Sequence, residues 1–484
     1  MRKLDTLQPQ PLWNYFEEIC QVPRPSKKEE KIIRFLLDFA EQNHLEAKRD
    51  EIGNVLISKP AFPGRENAQT VILQSHIDMV CEKNSDKKFD FNTDAIVPVI
   101  DGEWVRADGT TLGSDDGIGM AAQMSVLAST DIQHGPIECL FTVDEETGLS
   151  GAFALKKGFM NGKVLLNLDS EDEGEIFIGC AGGIDTLAEL KLRKEPVPGN
   201  SFALKIMVKG LLGGHSGDDI HKGRGNANKI LARFLWQAIR KFGVRIADFN
   251  GGNLRNAIAR EAYAVVIVPS VQKEQLVAEL NIFSADVEFE YERTEPNLVV
   301  DHSSTNMPQF VLDISSQERF INMLCACPHG VLEMSSRMEG MVGTSTNLAS
   351  VKFIENEKVM ITTSQRSELE SRKYFAAEMV RSVFELAGAQ VKSSDGYPGW
   401  TPNPESKILS TTVQSYKKLF GKEPLVRSIH AGLECGLFLE KYPELDMVSF
   451  GPTIKGAHSP DERINIETVS KFWMHLKDIL ENIS

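Results

Sequence analysis

Apolar residues recur with two spacings along the first third of the chain, and the alternation between them predicts the architecture. Helical spacing marks residues 11–16 (PLWNYF) and 29–39 (EEKIIRFLLDF). Short apolar runs at 54–57 and 71–73 read as strands, followed by a helix at 118–127, a strand at 137–143, a helix at 151–157 and a strand at 164–168. Strands alternating with helices predict an α/β fold, a sheet flanked by helices, with ligands taken beyond the carboxyl ends of the strands.

From about residue 186 the pattern changes. Strands are expected at 202–208, 262–268 and 287–291, the last from the alternation Val287-Glu288-Phe289-Glu290-Tyr291. A long helix is expected at 226–242, a hairpin from 346–355 and 358–364, and a helix at 370–387. The Gly- and Pro-rich stretch SSDGYPGWTPNP closes this block, and α/β character returns after it. The expected organisation is one α/β domain from 1–185 and 393–484, with an α+β domain inserted at 186–392.

A length of 484 residues supports more than one core. No apolar run approaches the ~20 residues needed to cross a bilayer, and MRKLDTLQPQ has no apolar leader core. With 53 basic against 68 acidic residues, the formal charge of -15 argues against a nucleic-acid binder. Bound cations would offset part of that excess. Seven scattered cysteines suit a reducing, cytoplasmic setting, and Cys325-Ala326-Cys327 lacks the second pair that a cysteine zinc site needs.

Five polar clusters carry candidate chemistry. His76-x-Asp78 follows an apolar strand, where i and i+2 side chains share a face. The pair can ligate a metal together, or the aspartate can orient the histidine. Asp115-Asp116 sits in a glycine-rich turn before a helix; a cap accounts for one carboxylate and leaves the other for a metal. Asp144-Glu145-Glu146 ends a strand, where adjacent negative charges call for cations or protons. Asp169 begins another acidic run at a strand end, and His458 follows Gly456-Ala457 far along the chain. Alone, each has an ordinary reading: polar strand end, helix cap, solvated acidic turn, surface-loop histidine. Together His76, Asp115, Glu146, Asp169 and His458 give one histidine and one terminal carboxylate per metal, with Asp115 shared. That donor set suits two Zn²⁺, with Mn²⁺ or Co²⁺ tolerated. Such pairs lie about 3.5–4 Å apart and share a water, leaving Glu145 as general base and then acid.

The segments SHIDMV, LGSDDGIGMA, TVDEETGLSGA, LLNLDSEDEG, LLGGHSGDDIHKGRGNA and GAHSPDERI, in this order, resemble the M20 family of co-catalytic zinc metallopeptidases. GGNLRNAIAR and HAGLECGLF are similar to its bacterial cytosolic Xaa-His dipeptidase branch. The resemblance implies a catalytic domain with an inserted lid or dimerisation domain and a homodimer. It implies metal ligation by His76, Asp115 (the bridge), Glu146, Asp169 and His458, orientation of His76 by Asp78, and general-base work by Glu145. His215 is implied to stabilise the oxyanion. Asn256 and Arg366 are candidates for the substrate's C-terminal carboxylate. Glu434 is a candidate for its amine on charge-pairing grounds, with a helix-surface position as the alternative. The expected substrates are small unblocked dipeptides, Xaa-His and β-alanyl-histidine among them. Gly117 departs from the family's more frequent basic residue there. An N-acyl amino acid deacylase or tripeptide aminopeptidase would use the same metals, and a metal-binding protein without turnover is the alternative of another class. GLLGGHSG lacks the glycine spacing of a nucleotide-binding loop.

Overall fold

The computed structural model describes residues 2–354 and 357–483. The expected end of a strand at Glu355 and the outer domain bounds at Met1 and Ser484 lie outside the described residues. The chain forms two compact units: 1–179 with 402–428 and 433–484, and 180–401 with 429–432. Residues 393–401 thus group with the second unit.

In the first unit a mixed eight-stranded sheet runs Glu46–Arg49, Val55–Lys59, Ile137–Thr142, Val71–His76, Val164–Asn167, Asp446–Ser449, Glu175–Cys180, Leu425–Ile429. Its central strands are buried on both faces: Val71–His76 and Ile137–Thr142 are buried at every position. That is the signature of a sheet covered by helices on both sides. Val71–His76 pairs in parallel with both Ile137–Thr142 and Val164–Asn167. His76 lies opposite Thr142, and Gln74 opposite Asn167. Parallel pairing therefore brings three carboxyl-terminal strand ends to one edge, and 144–146 and Asp169 leave the sheet beside His76. A second, four-stranded sheet joins Ile454–Lys455 and Arg463–Asn465 to Trp104–Ala107 and Pro98–Asp101. Residues 456–462 connect the first two of those strands.

The helix Ile466–Asn482 buries His475, whose Nε2 donates to the Thr412 carbonyl at 2.9 Å while its ring packs on Tyr416 and Phe450. Burial holds this imidazole down at about 4. Kept neutral in the fold but free to protonate when unfolded, it binds fewer protons in the native state. Its contribution is therefore level above the ordinary histidine value and lost as the pH falls from ~6.5 towards about 4, by roughly 3 kcal/mol. His475→Gln is expected to lose less stability than the parent between about pH 7 and about pH 4.5, read by chemical denaturation. An unchanged slope would rule this histidine out as the acid-sensitive group.

The second unit is built on a nine-stranded sheet whose pairings are antiparallel. Its core gathers strand residues such as Ile206, Val266 and Val359 with Leu231 and Phe234 of the helix Ala227–Phe242, Phe320 of Ile314–Ala326 and Phe384 of Glu370–Leu386. The expected strand at 287–291 is not formed. These residues finish the helix Lys273–Glu290, which buries Leu276, Leu280, Phe283 and Val287 at helical spacing and leaves Phe289 exposed. Five alternating residues at the end of a longer helical stripe imitate a strand; the stripe's length decides between them.

Candidate metal centre

The centre lies at the carboxyl edge of the first unit's sheet. His76 is the last residue of its strand and is 1% exposed. Its Nε2 sits 3.1 Å from Asp115 Oδ1 and 3.6 Å from Asp169 Oδ1. His458 Nε2 sits 3.1 Å from Asp115 Oδ2 and 3.1 Å from Glu146 Oε2. Two groups able to hold a cation follow, His76–Asp115–Asp169 and His458–Asp115–Glu146. Asp115 faces one imidazole with each oxygen. Its backbone is extended (φ -84, ψ 111), although the helix Ser114–Ala128 begins one residue earlier. His458 (φ 63) and Asp144 (φ 52) are non-glycine residues in the left-handed region. Backbone strain of this kind costs about 1–3 kcal/mol and persists where the surroundings over-determine it.

Electrostatics support cation binding. Burial raises the Asp169 carboxyl well above the ordinary range, and the charges of Asp116, Asp115 and Glu145 add to this against the opposing pull of His76. Glu145 is likewise raised by burial first, then by Glu146, Glu434 and Asp115, with His76 opposing. Burial also opposes ionisation of Asp115, but the His458 and His76 imidazoles overcome it and hold that carboxyl below the usual range. Hydrogen bonds to Asp115 and Glu146 push His458 up to about 11 despite partial burial. Glu146 Oε1 is buried with no hydrogen-bond partner among the described residues. Stranded acceptor atoms and crowded carboxylates are the state that bound divalent cations relieve, and the mixed imidazole and carboxylate donors fit them.

Supporting contacts fix these ligands. Asp78 Oδ1 lies 3.4 Å from His76 Nδ1. The same carboxylate accepts from Ser26 Oγ at 2.7 Å and from the backbone N–H groups of Glu145 and Glu146 at 3.0 and 3.2 Å. One buried aspartate thus sits against His76 and holds the turn that carries Glu145 and Glu146. Glu145 has a carboxylate oxygen within reach of the His76 and Glu146 ligand atoms. Asp172 and Glu173, next to Asp169, pair instead with Lys455 and Tyr416, so Asp169 alone of these three joins the ligand groups. No cysteine joins a ligand group among the described residues.

Two supports were not foreseen from the sequence. Glu462, 2% exposed, accepts from the backbone N–H groups of Leu112, Gly113 and Ser114 at 2.8, 3.0 and 2.7 Å and from Ser114 Oγ at 2.6 Å. It clamps the loop that presents Asp115, and its position four residues after His458 was the available signal. Arg24 donates to the carbonyls of Ile77, Asp78 and Gly113. A Cβ at Gly117 would come within 2.7 Å of that guanidinium, which fills the space a longer residue would take. Glu462→Ala is expected to weaken metal binding by about 10- to 100-fold, measured by competition with a chelating dye. Undiminished affinity would mean the loop keeps its shape without the clamp.

Glu434 is not on a helix surface. It is 0% exposed at the start of the helix Glu434–Lys441, where Oε2 accepts from Gln74 Nε2 at 2.6 Å and Thr142 Oγ1 at 2.7 Å. Oε1 is buried and unpartnered, and burial raises this carboxyl to about 7.

The second unit holds the remaining candidates. The His215 Nδ1 accepts from the N–H groups of Gly217 and Asp218 at 3.4 and 3.3 Å. Arg366 faces His215 Nε2 through Nη2 at 3.4 Å and donates from Nε to Ser216 Oγ at 3.3 Å. Asn256 is exposed beside this turn, its carbonyl accepting from Ser216 N at 2.8 Å. His430 Nε2 lies 2.8 Å from Ser345 Oγ, and burial followed by the Arg366 charge holds this imidazole down at about 3.

The model of the family described as Peptidase family M20/M25/M40 matches residues 72–482. Cytosol non-specific dipeptidase of Escherichia coli (strain K12) is 45% identical over 483 residues, 100% of this chain and 99% of the relative. The crystal structure of aminoacylhistidine dipeptidase from Vibrio alginolyticus shares 46% identity at a TM-score of 0.90, covering 100% of this chain and 98% of that one. A tripeptidase from Staphylococcus aureus, 17% identical with a TM-score of 0.58 over 99% of both chains, shares the fold. A family match over most of its length, and relatives similar from end to end, show that this chain belongs to peptidase family M20/M25/M40 and is a metallopeptidase.

Proposed function

We propose that this enzyme hydrolyses the peptide bond of small unblocked dipeptides, with a preference for Xaa-His that includes β-alanyl-histidine. The observation that carries the reading is the pair of ligand groups sharing Asp115, with Glu145 beside them. Names of the full-length relatives support dipeptide substrates, and the Vibrio alginolyticus relative supports the histidine preference. The cations are proposed to be two Zn²⁺, replaceable by Mn²⁺ or Co²⁺; when bound they polarise the scissile carbonyl and make water acidic enough to attack it.

The chain's own groups do the rest. Glu145 takes the proton of the attacking water and returns it to the leaving amine. Asp78 keeps the His76 ring in its ligating orientation. His215 donates to the developing oxyanion. Arg366, with Asn256, takes the substrate's C-terminal carboxylate, for which a guanidinium offers two parallel N–H bonds. The unpartnered Oε1 of Glu434 is the atom that would attract the substrate ammonium. A cytoplasmic setting is supported by the name of the Escherichia coli relative and by the scattered spacing of the seven cysteines. A homodimer is proposed with it and is read by sedimentation equilibrium.

A panel of dipeptides with and without C-terminal histidine, assayed with each metal, tests the reading. Xaa-His dipeptides are expected to be turned over best. Faster hydrolysis of N-acyl amino acids would make the enzyme a deacylase, and faster hydrolysis of tripeptides an aminopeptidase of that class.

A further inference from the structure

Arg366 lies directly across the antiparallel ladder from Gly183. Tyr397 is bound to that same glycine through the backbone in both directions: Gly183 N donates to Tyr397 O at 3.1 Å, and Tyr397 N to Gly183 O at 2.8 Å. The buried Lys373 ammonium donates to the same Tyr397 carbonyl at 2.7 Å. The phenol then occupies space that two side chains would otherwise fill. A Cβ at Gly183 would lie 2.6 Å from both Tyr397 Cζ and its hydroxyl, and one at Gly432 would lie 2.7 Å from Cε2. In this seat the hydroxyl accepts from Arg366 Nη1 at 2.7 Å.

Arg366 is 6% exposed; its Nε and Nη1 donate to Ser216 Oγ and Tyr397 Oη, and its Nη2 lies 3.4 Å from His215 Nε2. A guanidinium has five N–H donors in one plane, and the Ser216 and Tyr397 contacts use two of them. Bidentate recognition of an anion depends on where that plane points. Ser216 and His215 belong to one turn and hold one side of the fork; Tyr397 holds the other. A tyrosine kept only for packing would not need its hydroxyl on Nη1.

We propose that Tyr397 is a positioning residue: seated against Gly183 and Gly432, its hydroxyl fixes the plane of the Arg366 guanidinium and thereby sets the preference for substrates with a free C-terminal carboxylate. The inference rests on the reading that Arg366 takes that carboxylate.

The test compares a dipeptide with its C-terminal amide, using the full-length metal-loaded enzyme. Tyr397→Phe is expected to raise KM for the free acid by about ten- to a hundredfold, the loss of one hydrogen bond to a charged group. Turnover of the acid should change little, and the amide should respond less, so the acid-over-amide ratio narrows. Gly183→Ala, which crowds the ring but keeps the hydroxyl, should narrow the ratio in the same direction and serves if Tyr397→Phe folds poorly. Arg366→Gln separates the two layers. If it narrows the ratio while Tyr397→Phe and Gly183→Ala weaken acid and amide alike, the positioning role is overturned and the Arg366 reading stands. If Arg366→Gln leaves the ratio untouched, the Arg366 reading fails and the role of Tyr397 falls with it.

Discussion

Glu145→Gln is expected to lower kcat by about 10²- to 10⁴-fold, the range of a general acid–base group, while the protein keeps its full complement of metal. Glutamine preserves the shape of the side chain but cannot accept the proton of the attacking water at neutral pH. The position makes this a clean substitution. The Glu145 backbone N–H is anchored on Asp78, and that contact does not depend on the side chain. The ligand groups His76–Asp115–Asp169 and His458–Asp115–Glu146 are complete without Glu145. Metal content by mass spectrometry and turnover on a dipeptide should therefore part company. If turnover survives within about tenfold, another group handles the proton; if metal is lost as well, Glu145 is a ligand.

Asp115→Ala should have the opposite signature, with metal and activity lost together. Asp115 stands 3.1 Å from each of the two ligand imidazoles, through different oxygens. Its removal takes one ligand from both groups and leaves His76–Asp169 and His458–Glu146 as separate pairs. Activity is expected to fall by at least about 10³-fold, since Asp115 is the carboxylate common to both candidate groups and two-cation chemistry would lose a ligand at each. Titration calorimetry should show fewer than two equivalents bound. Retention of two tight sites would mean that Asp115 is not shared. In a metal-free preparation the same carboxylate still lies against the His76 and His458 imidazoles, so the substitution removes those contacts even without cations.

The residues of the proposed ligand set stand out by type and place because each follows an apolar strand or a glycine turn. The α/β alternation was equally legible, since the covered parallel strands carry short apolar runs and a covering helix shows its own period. Residues 287–291 were misread because five residues are too few to separate a strand from the last turn of an amphipathic helix. Glu434 was open between surface and substrate because helical position does not show what packs over a side chain. The fold puts Gln74 and Thr142 against it, from two neighbouring strands of the sheet. Arg24 carried no signal at all, since its partners are backbone carbonyls at 77, 78 and 113, and any sequence supplies those.

By itself the sequence determined the kinds of donor available and their order along the chain: two imidazoles, three terminal or bridging carboxylates and one acid left over beside Glu146. It could not pair them. His76 goes with Asp169 and His458 with Glu146 because parallel strand pairing sets 71–76 between its two neighbours, while the hairpin carrying His458 docks on Trp104–Ala107 and locks through Glu462 to the Asp115 loop. Ligand identity is a local property of side-chain chemistry. Which ligands meet depends on hydrogen-bonded register between segments hundreds of residues apart, and only the tertiary structure decides that.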